Sequence, residues 1–323
     1  MKKIAILYNL NRGNYEYEAE FDSELTIDSI HNALTNNYDV KKIEAVKDFS
    51  WIKELNRYKP DLVFNVSEGF NGPARESVYA AILEQFNYNY SGPDSTNLLM
   101  CHNKFLVKSL VKDIVLTPFG YSVQKTQDVE KLRNIKYPVI VKLNSEGSSM
   151  GLNGKSIVKN PKGLKKQINW LLNEYKRNIM VEEYVDGEDV SMIYVEGIGA
   201  MGPCLVDCDS EFYDYEMKTV KDSDVNISVV KGDHAKLKET TMKIAKRLDI
   251  KGYAKMDFRL RNDKYYLIEV NAQVSFHPTG EFITCAKTDD YDFSTVINHI
   301  VSNALKSDIK KNSVGISNND VDR

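Results

Sequence analysis

The sequence predicts an α/β unit followed by two α+β units. Up to Gly92-Pro93, apolar strands alternate with helices, and this alternation is typical of a parallel sheet. After Gly92-Pro93, short strands are interrupted by amphipathic helices. The 323 residues are enough for two or three domains. We predict domains at residues 1–93, 94–180 and 181–306, and we expect the polar tail, 307–323, to be disordered.

The elements of the first unit follow from short apolar runs and helical spacing. Apolar residues at Ile27, Ile30 and Leu34 recur at the helical period and predict a helix between the first two strands. Strands are predicted at 4–8, 40–46 and 61–66, and further helices at 51–58 and 77–86.

The clearest helix of the chain begins at Asn160-Pro161. Asparagine is a favoured N-cap residue and proline is favoured at the first helical position, and an apolar stripe follows. Other helices are predicted at 102–111, 236–248 and 293–305, and strands at 118–123, 137–143, 179–184 and 190–195. The long polar stretch 208–233 is predicted to be a loop.

Composition excludes several classes of function. The formal net charge is −3 with acids and bases interspersed, so we expect no nucleic-acid and no membrane partner. The amino terminus lacks an apolar run long enough for a signal peptide, and no apolar run approaches ~18 residues. The four cysteines, at 101, 204, 208 and 285, do not have zinc-finger spacing. We expect a cytoplasmic protein with free thiols.

Residues 257–271 are the most informative segment, because they predict a β-hairpin that brings two carboxylates together. With a three-residue loop at 262–264, Asp257 lies opposite Glu269, and their Cβ atoms are roughly 5 Å apart. Asn271 points to the same face as Glu269, since strand side chains alternate. Such a set suits Mg²⁺ that holds nucleotide phosphates. Alone, the same pattern also fits a solvated acidic face on an edge hairpin.

Three other segments carry polar side chains that suit a nucleotide. Residues 142–151 place Lys142, and two glycines that flank a pair of serines, after an apolar strand, which fits either a loop over phosphate or an ordinary turn. Residues 179–189 end in an acid cluster that fits either adenosine recognition or a solvated surface. Residues 213–218 fit either a lid or a surface loop.

These segments, taken in order, resemble the ATP-grasp carboxylate–amine ligases, and most closely the D-alanine–D-alanine ligase branch. The resemblance runs from about residue 1 to 305 and includes motifs at 64–69, 90–94, 103–104, 146–151, 182–189, 213–218 and the hairpin. It implies an ATP-grasp fold, with a Rossmann-like parallel-sheet domain and two α+β subdomains that enclose ATP.

The resemblance also implies roles for individual residues. For ATP these are Lys104 and Lys142 on the phosphates, Ser149 in the covering loop, Glu182, Glu183 and Val185 around adenine, Asp189 on the ribose, and Lys218 from the lid. Asp257, Glu269 and Asn271 would bind two Mg²⁺ ions, for which Mn²⁺ would substitute. Phosphoryl transfer depends mainly on such positioning and charge neutralisation.

The chain departs from the family on the substrate side. The arginine two residues before the metal aspartate is Lys255 here, Ser275 stands at an oxyanion-hole glycine, and Phe276 adds bulk beside it. Ser148, Lys255 and Ser275 are the predicted catalytic residues, because the resemblance places them at the tetrahedral intermediate. Substrate contacts are predicted for Glu68, Thr219, His277 and Thr279, and Glu16, Glu18 and Glu20 are the candidates for binding the first amino group.

We predict a ligase that joins the carboxylate of an amino acid or short peptide to an amine, usually another amino acid, through an acyl phosphate. A D-alanine–D-alanine ligase that tolerates Lys255 is the first alternative, and a non-catalytic nucleotide-binding protein is the second. Family members are often dimers, so the resemblance allows a homodimer.

Overall fold

The computed structural model describes residues 1–207, 226–230 and 232–306 of the chain. The predicted lid segment with Lys218 and Thr219, and the polar tail, therefore lie outside the described residues. Within the described ranges, the strands form three sheets, and no helix is both long and apolar enough to cross a membrane.

The first sheet is parallel, as the alternation of strands and helices predicts. Its order is β2-β1-β3, with β1 at Lys3–Tyr8, β2 at Asp39–Glu44 and β3 at Leu62–Val66. The connecting helices are α1 (Glu24–Thr35), α2 (Trp51–Tyr58) and α3 (Arg75–Gln85). Every residue of β3 is buried, because helices cover the strand on both faces of the sheet.

Two antiparallel sheets follow. The four-stranded sheet has the order β4-β7-β5-β6, and the five-stranded sheet has the order β10-β9-β8-β11-β12. Their strands are β4 (Gly120–Val123), β5 (Val139–Leu143), β6 (Ile157–Val158), β7 (Ile179–Glu183), β8 (Glu188–Val195), β9 (Gly199–Asp207), β10 (Asn226–Val229), β11 (Tyr253–Arg261) and β12 (Lys264–Asn271). The remaining helices are α4 (Ser95–Cys101), α5 (Lys104–Val111), α6 (Pro161–Tyr175), α7 (Ala235–Arg247), α8 (Glu281–Lys287) and α9 (Phe293–Lys306).

The four-stranded sheet encloses a core of its own, whereas the other two sheets share theirs. Strand residues of the first sheet and the aromatic residues Tyr253, Phe276 and Phe282 belong to one buried cluster. Phe276 is fully buried and its ring lies 5.6 Å from that of Phe64. The prediction that Phe276 adds bulk to the substrate site is therefore wrong, because its apolar ring is buried in the shared core.

Glycines allow the first and last units to meet closely. A Cβ at Gly252 would lie 2.6 Å from Cα of Gly92, and a Cβ at Gly92 would lie 2.7 Å from the hydroxyl of Tyr253. Both glycines have positive φ, 68° and 90° respectively. The predicted domain boundary near residue 93 thus lies where the backbones at Gly92 and Gly252 are in close contact. We propose moving the boundary predicted at 180 past Glu183, because β7 belongs to the four-stranded sheet.

The structure differs from the predicted elements in several places. The helix predicted at 102–111 begins only at Lys104, because Asn103 is its N-cap and accepts a hydrogen bond from the N–H of Leu106 at 3.0 Å. Strand β10 lies inside the stretch predicted to be a loop, where it pairs with β9. Helices α4 and α8 and strand β9 are not among the predicted elements.

Candidate active site

The β11–β12 hairpin places Asp257 directly opposite Glu269, as the sequence predicts. The predicted three-residue loop is wrong, however. Arg261 pairs with Lys264, so the turn contains only Asn262 and Asp263, whose φ values of 50° and 58° are typical of a two-residue type I′ turn. A β-bulge after Asp257 adds the missing residue and restores the pairing of the two acids.

The amide of Asn271 completes this group on the hairpin. Its Nδ2 donates to Oδ2 of Asp257 at 2.8 Å and to Oε1 of Glu269 at 3.4 Å. Burial raises the pKa of Asp257, the ammonium group of Lys255 lowers it, and the nearby acids Glu281 and Glu269 raise it. The net effect is a pKa of about 6. Two carboxylates and an amide that converge on a rigid hairpin form a donor set for a hard divalent cation.

Lys104 reaches the hairpin from the N-terminus of α5. Its Nζ lies 3.2 Å from Oε2 of Glu269 and donates to the carbonyl oxygen of Glu146 at 2.5 Å. Asn103 and Asn144 fix this helix start, because their side chains accept the first free N–H groups of α5. The ammonium group is therefore held beside the predicted metal ligands.

The four-stranded sheet contributes a second lysine. Lys142 on β5 forms an ion pair of 2.6 Å with Oε1 of Glu182 on β7, and Lys108 on α5 pairs with Oε2 of the same carboxylate. All three side chains are buried. Burial, although opposed by Glu182, lowers the pKa of Lys108 to about 7. Lys108 was not predicted, because only the packing of α5 on this sheet brings it to Glu182.

A cavity lies between the four- and five-stranded sheets, and Lys104, Lys142 and Glu182 line it. The other residues predicted around adenosine, Glu183, Val185 and Asp189, line it too. Val185 is buried on its wall. Glu183 pairs with Arg261 at 2.8 Å, and Asp189 pairs with Arg259 at 2.6 Å. The structure thus brings these residues together with the hairpin and both lysines, and the acids are held by arginines of β11.

The glycine–serine loop at 146–151 closes this cavity on the side of the first domain. Ser148 and Ser149 have positive φ values of 44° and 57°, which non-glycine residues seldom adopt. The hydroxyl of Ser148 donates to the carbonyl oxygen of Ala19 at 3.3 Å. Left-handed serines held between packed segments are typical of functional loops.

A second cavity lies beyond the loop, and Glu68, Ser275 and His277, which are predicted on the substrate side, line it. Three carboxylates meet there, from Glu20, Glu68 and Glu76, with oxygens within 4.8 Å of one another. Arg75 bridges Glu20 and Glu146, and His102 pairs with Glu76 at 2.5 Å. Burial, followed by Glu76 and Glu20, raises the pKa of Glu68 well above its ordinary value.

The structure distinguishes between the three amino-terminal glutamates. The carboxylate of Glu18 accepts the backbone N–H groups of Arg12 and Asn14, and Glu16 accepts from the hydroxyl of Tyr175. Only Glu20 of these three lies on the cavity wall. Helix propensity and spacing do not separate the three, since the difference depends on contacts with distant helices: Tyr175 of α6 binds Glu16, and Arg75 of α3 binds Glu20.

The segment after Asn271 forms the opposite wall of the second cavity. The hydroxyl of Ser275 donates to Oδ1 of the buried Asp22 at 2.7 Å, and the side chains of Thr279 and His277 are 3.1 Å apart. Glu281, which was not predicted, begins α8 and forms an ion pair with Lys255. An acid next to the departures at Ser275 and His277 is the sequence signal that would have identified it.

Asp22 is expected to make stability depend on pH. Burial, only partly offset by the Ser275 hydrogen bond, raises its pKa from 3.8 to about 7. The folded state therefore binds an extra proton between about pH 4 and pH 7, and the free energy of unfolding falls as pH rises through this window. Asp22→Asn should remove that fall and raise stability at pH 8 by about 2–4 kcal/mol.

Urea denaturation of both proteins at several pH values measures this effect. Asp28→Asn is the control, because Asp28 is exposed and pairs with Lys42 on the surface. Equal slopes for wild type and Asp22→Asn between pH 4 and pH 7 would contradict the prediction.

Comparisons with known proteins identify the family of the chain. Residues 112–302 match the family model "D-ala D-ala ligase C-terminus". A D-alanine–D-alanine ligase of Aquifex aeolicus (strain VF5) is 31% identical over 252 residues, which are 77% of this chain and 84% of that protein. The corresponding enzyme of Pelagibacter ubique (strain HTCC1062) is 28% identical over 285 residues, 84% of this chain and 89% of that protein.

Solved structures share the fold. The D-alanine–D-alanine ligase from Bacillus anthracis complexed with ATP has a TM-score of 0.77 at 19% identity, covering 96% of this chain and 98% of its own. VanG D-Ala:D-Ser ligase from Enterococcus faecalis has a TM-score of 0.74 at 19% identity, covering 94% and 99%. The chain belongs to the D-alanine–D-alanine ligase family of ATP-grasp enzymes and is an ATP-dependent carboxylate–amine ligase.

Proposed function

We propose that this ligase activates the carboxylate of an amino acid or short peptide with ATP and transfers the acyl group to an amine. One observation supports this above all: Asp257, Glu269 and Asn271 converge with Lys104 at the junction of the two cavities. A nucleotide in the first cavity would thus present its terminal phosphate to a substrate in the second.

The hairpin residues fit Mg²⁺, since their side chains offer oxygen ligands on a rigid scaffold. The nitrogen of Asn271 faces the acids, and rotation of its amide presents the oxygen instead. Two Mg²⁺ ions, or Mn²⁺ in their place, would neutralise phosphate charge there. Lys104, Lys142 and the loop with Ser149 would hold the phosphates, and the predicted phosphate contact of Lys218 lies outside the described residues.

The proposed reaction has two steps. In the first, a carboxylate oxygen attacks the γ-phosphorus of ATP, the bond to the bridging oxygen breaks, and ADP leaves. In the second, the amine nitrogen attacks the acyl carbon and loses a proton to solvent, and phosphate leaves with the electrons of the C–O bond. Lys255, the hydroxyl of Ser148 and the backbone at Ser275 would stabilise the tetrahedral intermediate.

Substrate contacts are proposed for the second cavity. Glu20 and Glu68 would bind the amino group of the first substrate, because their carboxylates line the cavity beyond the loop. His277 also lines that cavity, and the hydroxyl of Thr279 forms a hydrogen bond with Nδ1 of His277. A role for Thr219 stays a prediction outside the described residues. We also propose a homodimer. Sedimentation velocity of the purified chain tests this, because it measures the mass of the particle in solution.

Trapping the acyl phosphate tests the function. The chain is incubated with ATP, Mg²⁺ and hydroxylamine together with single amino acids: glycine, both enantiomers of alanine, serine, aspartate and lysine. We expect release of ADP with a matching hydroxamate for at least one of them. Release of neither product with any amino acid would favour the non-catalytic nucleotide-binding alternative.

The D-alanine–D-alanine ligase alternative is favoured by the names of the relatives. Incubation with D-alanine, ATP and Mg²⁺ decides it, because a true member of that activity class forms D-alanyl-D-alanine. Lys255 argues against it, since lysine lacks the planar fork of the arginine at this position in the family.

A further inference from the structure

The backbone after Asn271 is held by buried side chains on both sides of Ser275. Val274 and Phe276 are 4% and 0% exposed, and both belong to the core that the first and the five-stranded sheets share. Residues 272–276 lie beyond the end of β12, so strand pairing does not fix them. Ser275 itself is exposed and lines the second cavity. The position of its backbone therefore depends on its two neighbours and on its own side chain.

The side chain of Ser275 is bonded to the first domain. Its hydroxyl donates to Oδ1 of Asp22 at 2.7 Å, and a hydroxyl has only one proton to donate. The hydroxyl is therefore not available as a donor to the reacting atoms. The backbone N–H of Ser275 differs, because no hydrogen-bond acceptor for it lies within residues 1–207, 226–230 and 232–306. Of its two donors, Ser275 thus has the N–H available for an oxyanion.

Asp22 is a rigid anchor for this hydrogen bond. It is 6% exposed, and its backbone carbonyl oxygen accepts the N–H of Asn11 at 2.9 Å. Helix α1 follows directly, with Ser23 as the N-cap that accepts the N–H of Thr26. The carboxyl group thus lies where two ordered segments of the first domain meet, and its bond to the hydroxyl fixes Ser275 relative to that domain.

The position of this N–H matters for the second step of the proposed reaction. A donor stabilises the tetrahedral intermediate only if it lies about 2.7–3.1 Å from the developing oxyanion. A displacement of about 1 Å reduces the rate by on the order of 100-fold. The first step forms no tetrahedral carbon, since the carboxylate attacks phosphorus. The first step therefore does not depend on the N–H of Ser275.

We propose that Asp22 is a positioning residue for amide formation, because it holds the backbone N–H of Ser275 where the tetrahedral intermediate forms. This inference rests on the proposed function and adds to it a residue of the first domain. It also explains how a serine fits where the family has glycine. The added hydroxyl has an acceptor of its own, and the bond between them holds the segment in place.

Single turnovers of Asp22→Ala test the inference. The full chain, in excess over ATP, is mixed with Mg²⁺, the amino acid that gives most hydroxamate, and an amine. The amine is the amino acid that gives most amide, or hydroxylamine if none does. Rapid quenching measures ADP for the first step and amide for the second. We expect ADP to form within about threefold of the wild-type rate and amide to form at least about tenfold more slowly.

Three further variants separate positioning from a general effect on the fold. Asp22→Asn keeps an oxygen that accepts the hydroxyl of Ser275, so amide formation should stay within about threefold of wild type. Ser275→Ala removes the donor and keeps the N–H, so it should reproduce the loss, and combining it with Asp22→Ala should reduce the rate no further. Ser23→Ala removes the cap of α1 next to Asp22 and should change neither step.

The outcomes separate this inference from the proposed function. Equal losses in both steps for folded Asp22→Ala, no loss in either, or additive losses in the double variant would each show that the inference is wrong, and the proposed function would stand. If Asp22→Ala does not fold, Ser275→Ala decides, because Ser275 is exposed and its truncation leaves the core intact. If the wild type forms neither ADP nor hydroxamate with any amino acid, the proposed function fails and the inference fails with it.

Discussion

Replacing Glu269 with alanine is expected to reduce ATP turnover by at least about 100-fold, the usual size of losing a main electrostatic group in an active site. Glu269 faces Asp257 across the hairpin and pairs with Lys104, so the change removes a proposed metal ligand and the partner of the lysine proposed to bind phosphate. ADP release is measured in the presence of the best amino acid. Calorimetric titration of ATP should also show that Mg²⁺-dependent affinity falls.

Two controls separate this effect from unfolding. Glu269→Gln keeps the size of the side chain and should show the same loss, and Glu239→Ala on the exposed face of α7 should show none. Thermal melting by circular dichroism establishes that each variant is folded. Undiminished turnover of a folded Glu269→Ala protein would disprove the proposed metal site.

Replacing Glu182 with alanine is expected to lower the free energy of unfolding by about 3–5 kcal/mol, because it leaves buried lysines without their counter-charge. Its carboxylate is 1% exposed and pairs with both Lys108 and Lys142. Adding Lys108→Met should restore part of the loss, since one of the two unpaired ammonium groups is then absent. Urea denaturation at pH 7 measures both steps.

Glu183→Ala is the matched control for this prediction. Glu183 is the next residue on β7, on the opposite face, and its half-exposed ion pair with Arg261 should contribute less than about 1 kcal/mol. Equal losses for Glu182→Ala and Glu183→Ala would mean that burial of the charge cluster does not determine its energetic contribution.

The hairpin shows what local sequence patterns specify. Alternation and the run of β-branched and aromatic residues predict two strands with Asp257 opposite Glu269, and this pairing is confirmed. The loop length was wrong, because a two-residue turn with a compensating β-bulge gives the same pairing as a three-residue loop. The sequence pattern thus predicts which residues pair across the hairpin, but not the length of the turn that joins the strands.

The charge clusters show what local patterns leave open. Glu182 is predicted beside adenine, and that role stays a prediction, but its carboxylate is bound to two lysines. Lys108 reaches it across 74 residues of sequence. No periodicity or motif in a single sequence specifies such a contact, because it depends on how α5 packs against the four-stranded sheet.

Residue types and short-range spacing were enough to predict the fold class, the order of the proposed nucleotide and metal motifs, and the departures from the family at Lys255 and Ser275. They could not show which of the three amino-terminal glutamates lines the second cavity, or that Glu281 pairs with Lys255. A charge acts through its distance to other charges, and those distances exist only after the sheets and helices have packed.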